Sequence, residues 1–259
     1  MEALGEITPL ALAVLALLVF FAGFVDSLAG GGGLITLPAY LAAGLDPLFL
    51  LGTNKLSSSL GTLVAAWKYF RELRVTPHSL ISLLMVSAAG SAAGAGLVLL
   101  IDPAALKYIM LFIIPLAAWP VILRHRGMIA DLSSGLGEKR IFVRSTAVAF
   151  SVSAYDGFIG PGTGTFFALA FTRFCRYDLL KATALAKVFN LTSNLAALSA
   201  FLWAGRVSIR LGLLMALAGM AGNYAGSCAG ISGGTRVIRP ALLIVCAGLM
   251  VKLVLDMVR

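Results

Sequence analysis

Two lysines sit where hydrophobic sequence offers them no water. Lys55 lies within a run from about 47 to 69, and Lys187 within one from about 178 to 204. An ammonium is a compact point charge with three donors, suited to small oxyanions. A charge at the centre of a bilayer costs at least ~2.5 kcal/mol on insertion scales, so it usually faces a cavity and has a role. The neighbours fit such a role. Lys187, Asn190 and Asn194 follow an i, i+3, i+7 spacing that puts them on one helix face. Lys55, Ser58 (or Ser59) and Thr62 repeat that arrangement, with Thr53 and Asn54 alongside. Each half of the chain thus offers one cation and a column of hydrogen-bonding groups. The competing reading is that each lysine pairs with Asp26 or Asp156, or snorkels, and only holds the fold together.

The second chemical signal is a pair of glycine-rich interruptions in apolar sequence. The first reads DSLAGGGGLITLP from Asp26 to Pro38, and the second DGFIGPGTGTF from Asp156 to Phe166. Gly31, Gly32 and Gly33 carry no side chains, and Gly160, Gly162 and Gly164 alternate with Pro161, Thr163 and Thr165. Peptide N–H groups at a half-helix start bear positive partial charge and bind anions. A helix broken at membrane depth is tolerated only where its freed backbone groups find partners in protein, water or ligand. Two such breaks at matching places point to a transport site. Asp26 and Asp156 each stand four residues before the glycines. They read as counter-ions for the lysines, as proton carriers, or as helix caps.

The elements that must position these groups repeat. At one offset Asp26, Gly30 and Gly32 match Asp156, Gly160 and Gly162. Two residues further on, Asp46, Lys55, Arg74-Val75, Gly90 and Gly94 match Asp178, Lys187, Arg206-Val207, Gly222 and Gly226. This predicts an all-α, polytopic transmembrane bundle of two tandem repeats, 1–125 and 141–259, joined by a cytoplasmic linker over 126–140. The hydrophobic pieces run roughly 9–44, 47–69, 77–100 and 104–123, then 141–172, 178–204, 208–232 and 237–257, against the ~20 residues that span a bilayer. The pieces containing the breaks are long. If each crosses once there are eight crossings; if each is re-entrant there are six, and the repeats are inverted. Asp46-Pro47 and Asp178 read as helix starts. Nine residues beyond its cap, at ~1.5 Å per residue, each lysine falls roughly 13 Å into a core about 30 Å thick. Gly90-x-x-x-Gly94 and Gly222-x-x-x-Gly226 read as close helix packing.

Composition agrees. Hydrophobic residues make up 60% of the 259 and charged residues 12%, where a soluble domain carries about a quarter charged. The +9 net charge fits basic cytoplasmic loops. Its scatter over short loops excludes a nucleic-acid surface. Three cysteines at wide spacing, Cys175, Cys228 and Cys246, give neither a disulfide framework nor a metal pattern. No nucleophile–base pair and no nucleotide loop appears, so no catalytic residue, metal or cofactor is expected and the chain does not read as an enzyme.

DSLAGGGGLITLPAYLAAGLDP followed by GTNKL resembles the N-terminal signature of the sulfite exporter TauE/SafE family. GFIGPGTGTF, KATALAK and the Asn190–Asn194 region resemble its C-terminal repeat. The resemblance covers nearly the whole chain. It implies a multi-pass permease of the bacterial inner membrane, in a family associated with export of sulfur-containing anions such as sulfite and sulfoacetate. It carries over onto Gly30 to Gly33, Asn54, Lys55, Gly160 to Thr165, Lys187 and Asn190. The halves differ where Asn54 meets Ala186, so the site need not be symmetric.

The function expected is secondary export of a small sulfur oxyanion or organosulfonate, bound by Lys55, Lys187 and the amides of the breaks. A channel for small anions or neutral solutes is the alternative in the same class. A membrane enzyme or assembly factor is the alternative in another. The partners expected are the small anion and the lipid bilayer, with a homodimer admitted.

Overall fold

The structure, a computed structural model, describes residues 8–73, 80–106, 108–110, 112 and 130–233. Those residues form helices and no strand. The first half contributes α1 (Pro9–Ala29), α2 (Gly33–Ala42), α3 (Pro47–Leu73) and α4 (Leu80–Leu99); the second contributes α5 (Glu138–Phe158), α6 (Thr163–Cys175), α7 (Leu179–Trp203) and α8 (Ile209–Gly233). Residues 126–129 of the linker, most of the run 104–123 and all of the run 237–257 lie outside the described residues, as do His78, His125, Trp119 and Cys246.

The helix starts follow local chemistry. Pro9 opens α1 behind Thr8, whose hydroxyl accepts the Ala11 N–H at 3.3 Å. The Asp46 carboxylate accepts the Leu48 N–H at 3.0 Å as α3 begins, and Asp178 accepts the Lys181 N–H at 3.0 Å as α7 begins. These are the caps expected from Asp46-Pro47 and Asp178. The apolar runs 9–44 and 141–172 divide at the glycines, into α1 with α2 and α5 with α6. At about 1.5 Å per residue, α2 and α6 are too short to cross a ~30 Å core alone. The second run begins at Glu138, three residues before its expected start, where Gly137, at a positive φ of 72°, ends the preceding 3₁₀ turn.

Packing crosses between the halves. α1 lies along α8, and α4 along α5, while α3 and α7 pack together at the centre. The GxxxG glycines make this possible. A Cβ on Gly222 would run into the Phe20 carbonyl of α1, and one on Gly226 into the Phe24 carbonyl. A Cβ on Gly90 would meet the Phe150 carbonyl oxygen of α5 at 2.6 Å, and one on Gly94 would run into that of Ala154. Without side chains the backbones reach van der Waals contact, the small-residue packing characteristic of membrane helices.

The outward faces are apolar. Leu17 and Phe21 on α1, Ile81 and Met85 on α4, and Leu217 on α8 are exposed. Pro9–Leu28, Leu80–Leu99 and Leu179–Trp203 are each long and apolar enough to cross a membrane. Trp203, 95% exposed at the end of α7, lies where interfacial aromatics belong. Beyond the apolar belt, Lys181 pairs with Asp131 at 2.8 Å. Burial works against the Asp131 charge, but donors from Lys181 and Ser133 outweigh it and hold the carboxyl below the usual carboxylate range.

Valine at Gly94 or at Gly222 should destabilise the bundle by at least the ~1–3 kcal/mol of an overpacked core, since the obstructing atoms are main chain. Alanine at Gly96, also on α4 with open space around it, should be neutral or mildly stabilising. Thermal unfolding in detergent distinguishes the two classes.

Candidate functional site

The two glycine breaks meet. Gly30, left-handed at φ 79°, closes α1 by donating its N–H to the Asp26 carbonyl at 2.6 Å. A side chain there would collide with the backbone of Gly164 and Thr165, and one on Gly164 would come within 2.6 Å of the Gly30 Cα. Gly33 approaches Pro161 in the same way. Gly160 and Gly162 are also left-handed, at φ 83° and 79°, so only glycine gives both the turn and the approach without strain. Main chain from one half is therefore seated on main chain from the other.

Around this crossing the four buried charges pair across the halves. Lys55 of α3 reaches Asp156 of α5 at 2.8 Å. Lys187 of α7 reaches Asp26 of α1 at 3.1 Å and also donates to the Asp26 main-chain carbonyl. Each lysine takes the aspartate of the opposite half. Neither snorkels, with side chains 3% and 0% exposed. Burying an ion costs several kcal/mol unless its partner and remaining donors are well placed. Here they are. Lys55 also donates to Asn194 Oδ1 at 2.9 Å, Asn194 donates to Asn190 Oδ1 at 3.3 Å, and Ser193 donates to Asp156 Oδ2 at 2.6 Å. Asp26 Oδ1 accepts the Gly32 N–H at 3.2 Å. The aspartates thus act as counter-ions, and Asp26 in addition caps the entry into α2.

Between the breaks lies a cavity of about 40 Å³, room for about three waters by the usual ~10–15 Å³ each. Lys55, Asn54, Ser58, Thr62, Asn190 and Asn194 line it. So do Gly32, Gly33, Gly160, Thr163 and Gly164, with Asp26 and Asp156. Four expected residues do not line it: Lys187, Gly31, Gly162 and Thr165. For Lys187 the reason is Asp26, which takes its ammonium, so the second cation is a wall support rather than an open donor. Thr163 turns its hydroxyl onto the Gly160 carbonyl at 2.7 Å. The column facing Lys55 is asymmetric, as the mismatch of Asn54 with Ala186 implied.

Sequence reasoning missed Thr36, Ser57 and Asn223. Thr36 donates to Asn54 Oδ1 at 2.7 Å, and Ser57 shares a 3.1 Å hydrogen bond with the Tyr40 hydroxyl. Asn223 lines the cavity from α8, pressed by Gly23 and Gly61, with its Nδ2 donating to the Gly219 carbonyl at 2.9 Å and its buried Oδ1 unpaired. A readable signal existed for it: an amide side chain in the middle of an apolar span.

Both lysines and both aspartates of the site are paired, so removing one charge alone should be costly. Lys55→Met or Asp156→Asn by itself should destabilise by about 3–5 kcal/mol, whereas the double substitution recovers much of the loss. Unfolding of the four proteins of this cycle in detergent gives the coupling; additive losses would contradict a paired site.

Comparison with known proteins agrees with this architecture. Residues 15–253 match the family model described as Sulfite exporter TauE/SafE. The chain is 38% identical to the "Probable membrane transporter protein ORF9" of Sinorhizobium sp, over 95% of its own length and 93% of that protein. It is 36% identical to the "Probable membrane transporter protein YfcA" of Escherichia coli (strain K12), over 98% and 94%. Against the "Probable membrane transporter protein" of Haemophilus influenzae it is 36% identical over 95% of each. No solved structure matches. A helical bundle with an apolar exterior, a polar cavity at the meeting of two glycine breaks, and a family match over nearly all of its length mark this chain as a membrane protein of the sulfite exporter TauE/SafE family of transporters.

Proposed function

We propose that the chain is a secondary transporter that exports a small sulfur oxyanion or organosulfonate, such as sulfite or sulfoacetate, across the bacterial inner membrane. The observation that carries this reading is Lys55. Its ammonium lines the cavity beside the Asn190–Asn194 amides and the Gly160 turn, a donor set suited to a compact oxyanion. The cavity is on the scale of one small anion, and a longer organosulfonate needs the breaks to part.

The mechanism proposed follows from the packing. The two halves, read as duplicated repeats 1–125 and 141–259 around the linker 126–140, meet at the breaks. At the breaks, Gly–Gly backbone contact and two ion pairs form that meeting. Because the halves are interleaved, the motion proposed carries the bundle of α1, α2, α3 and α8 against that of α4, α5, α6 and α7 and opens the cavity to alternate sides, as expected of carriers with broken helices at the midplane. Asn54, Ser58, Thr62 and the Gly32, Gly33 and Thr163–Gly164 turns orient the anion, while Lys187 supports Asp26 from behind.

Purified protein in proteoliposomes should show saturable counterflow of labelled sulfite or sulfoacetate. Lys55→Gln should reduce it at least tenfold, with smaller losses for Asn194→Ala. Unsaturable flux without counterflow would mark a channel instead. Thermal stabilisation by a sugar or a cation, and by none of sulfite, thiosulfate, sulfoacetate and taurine, would defeat the anion reading.

A further inference from the structure

We infer that Asp26, and not Asp156, takes up a proton as the anion enters the cavity, so that anion and proton are carried together, one for one. The inference rests on the anion-transport reading above and adds the coupled ion and the residue that carries it.

The charges at the site already balance one another. Lys55 and Lys187 are balanced by Asp156 and Asp26 at 2.8 and 3.1 Å. An anion entering such an enclosure brings an uncompensated charge into low dielectric, which is costly. A proton arriving with it removes that cost by neutralising one carboxylate. The Lys187 charge so released offsets the anion from behind Asp26, while Lys55, which lines the cavity, contacts the anion.

The two carboxylates are not equivalent candidates. Asp156 also borders the cavity but is the more buried of the two, with its side chain 3% exposed. Its Oδ2 accepts from both Lys55 and Ser193, at 2.8 and 2.6 Å. A proton on that oxygen would displace two close donors, and neutralising the carboxyl at either oxygen would unpair the lysine that faces the ligand. Asp26 stands at the cavity wall, with its side chain 14% exposed. Its longer pair with Lys187 is backed by a second bond from the same ammonium to the Asp26 main-chain carbonyl. Lys187 therefore keeps an acceptor when the carboxyl is neutral. Oδ1 of a neutral carboxyl can still accept the Gly32 N–H, so α2 keeps its cap. The proton comes from water on the side where the anion enters, binds a carboxylate oxygen of Asp26, and returns to water when the anion leaves.

The groups around Asp26 leave its charge to that one pair. From α7 it faces Lys187, and from α3 the Tyr69 phenol. Across the cavity, Lys55 and Asp156 already hold each other. α2 carries no charged residue. On α6 and α8 the charged positions, Arg173 and Arg210, lie about 15 Å or more along their helices from the Asp26 level.

The test uses methanesulfonate, whose own charge is fixed across the range. Its affinity for the wild-type protein should rise about tenfold per unit fall in pH wherever Asp26 is ionised in the empty site. One proton should be taken up per anion bound, read in lightly buffered solution. Asp26→Asn should bind with a flat pH profile and no proton uptake. Asp156→Asn, however weakly it binds, should keep the slope. A flat wild-type profile without proton uptake overturns the inference and leaves the transport reading standing. A slope that survives in Asp26→Asn and vanishes in Asp156→Asn assigns the proton to the wrong carboxylate and equally overturns it. Failure of methanesulfonate and sulfate to bind at any pH from about 5 to about 8 overturns the anion reading, and this inference with it. Where Asp26→Asn does not fold, a slope kept in Asp156→Asn supports the inference and its loss there overturns it.

Discussion

A lysine ammonium in an apolar interior must have a carboxylate beside it, and in this chain each carboxylate is supplied by the other half. That requirement governs the rest. Lys55 cannot be stable unless α5 is brought against α3, nor Lys187 unless α1 is brought against α7. The helices that carry the aspartates are therefore drawn across the molecule, α1 onto α8 and α5 onto α4. Such a crossing buries main chain against main chain, and this is where the GxxxG glycines become obligatory. Charge pairing fixes which helices meet, and glycine fixes how closely.

The same logic explains why the site is a polar cavity between two broken helices. The breaks at Gly30–Gly32 and Gly160–Gly162 end α1 and α5 only a few residues beyond the aspartates. The turns that break the helices and the carboxylates that anchor them thus lie together. Because both turns are glycine, they pack directly on each other and leave no side chain to fill the gap between them. What remains is a small space whose walls are amides, hydroxyls, one ammonium and two carboxylates, with the Lys187 ammonium behind Asp26. Its walls are neutral overall, so it discriminates by donor placement rather than by bulk positive field.

Much of this was legible in the sequence. Lysine in an apolar run, glycine clusters behind an aspartate, and their return in the second half located both breaks, the helix starts at Asp46 and Asp178, and most of the cavity lining. What the sequence could not give was partnership. Spacing along a helix says which residues share a face, but not that Asp26 would cover Lys187 and remove it from the cavity while Asp156 left Lys55 at the wall. Nor could periodicity assign Thr36 and Asn223, because a lone threonine or asparagine in a membrane helix satisfies itself on its own backbone as readily as it faces a site. Asn223 in part does so, through the Gly219 carbonyl. Serine, too, hides its role: Ser193 holds Asp156 from a position whose counterpart in the first half is Gly61.

The most direct measurement is a crystal structure grown with selenate, read at the selenium absorption edge. An anion held by Lys55 gives an anomalous peak inside the cavity, within hydrogen-bonding distance of the Lys55 Nζ and beside Asn194. A selenate peak only among the basic loops, with the Lys55–Asp156 pair closed and the cavity holding water alone, would contradict it.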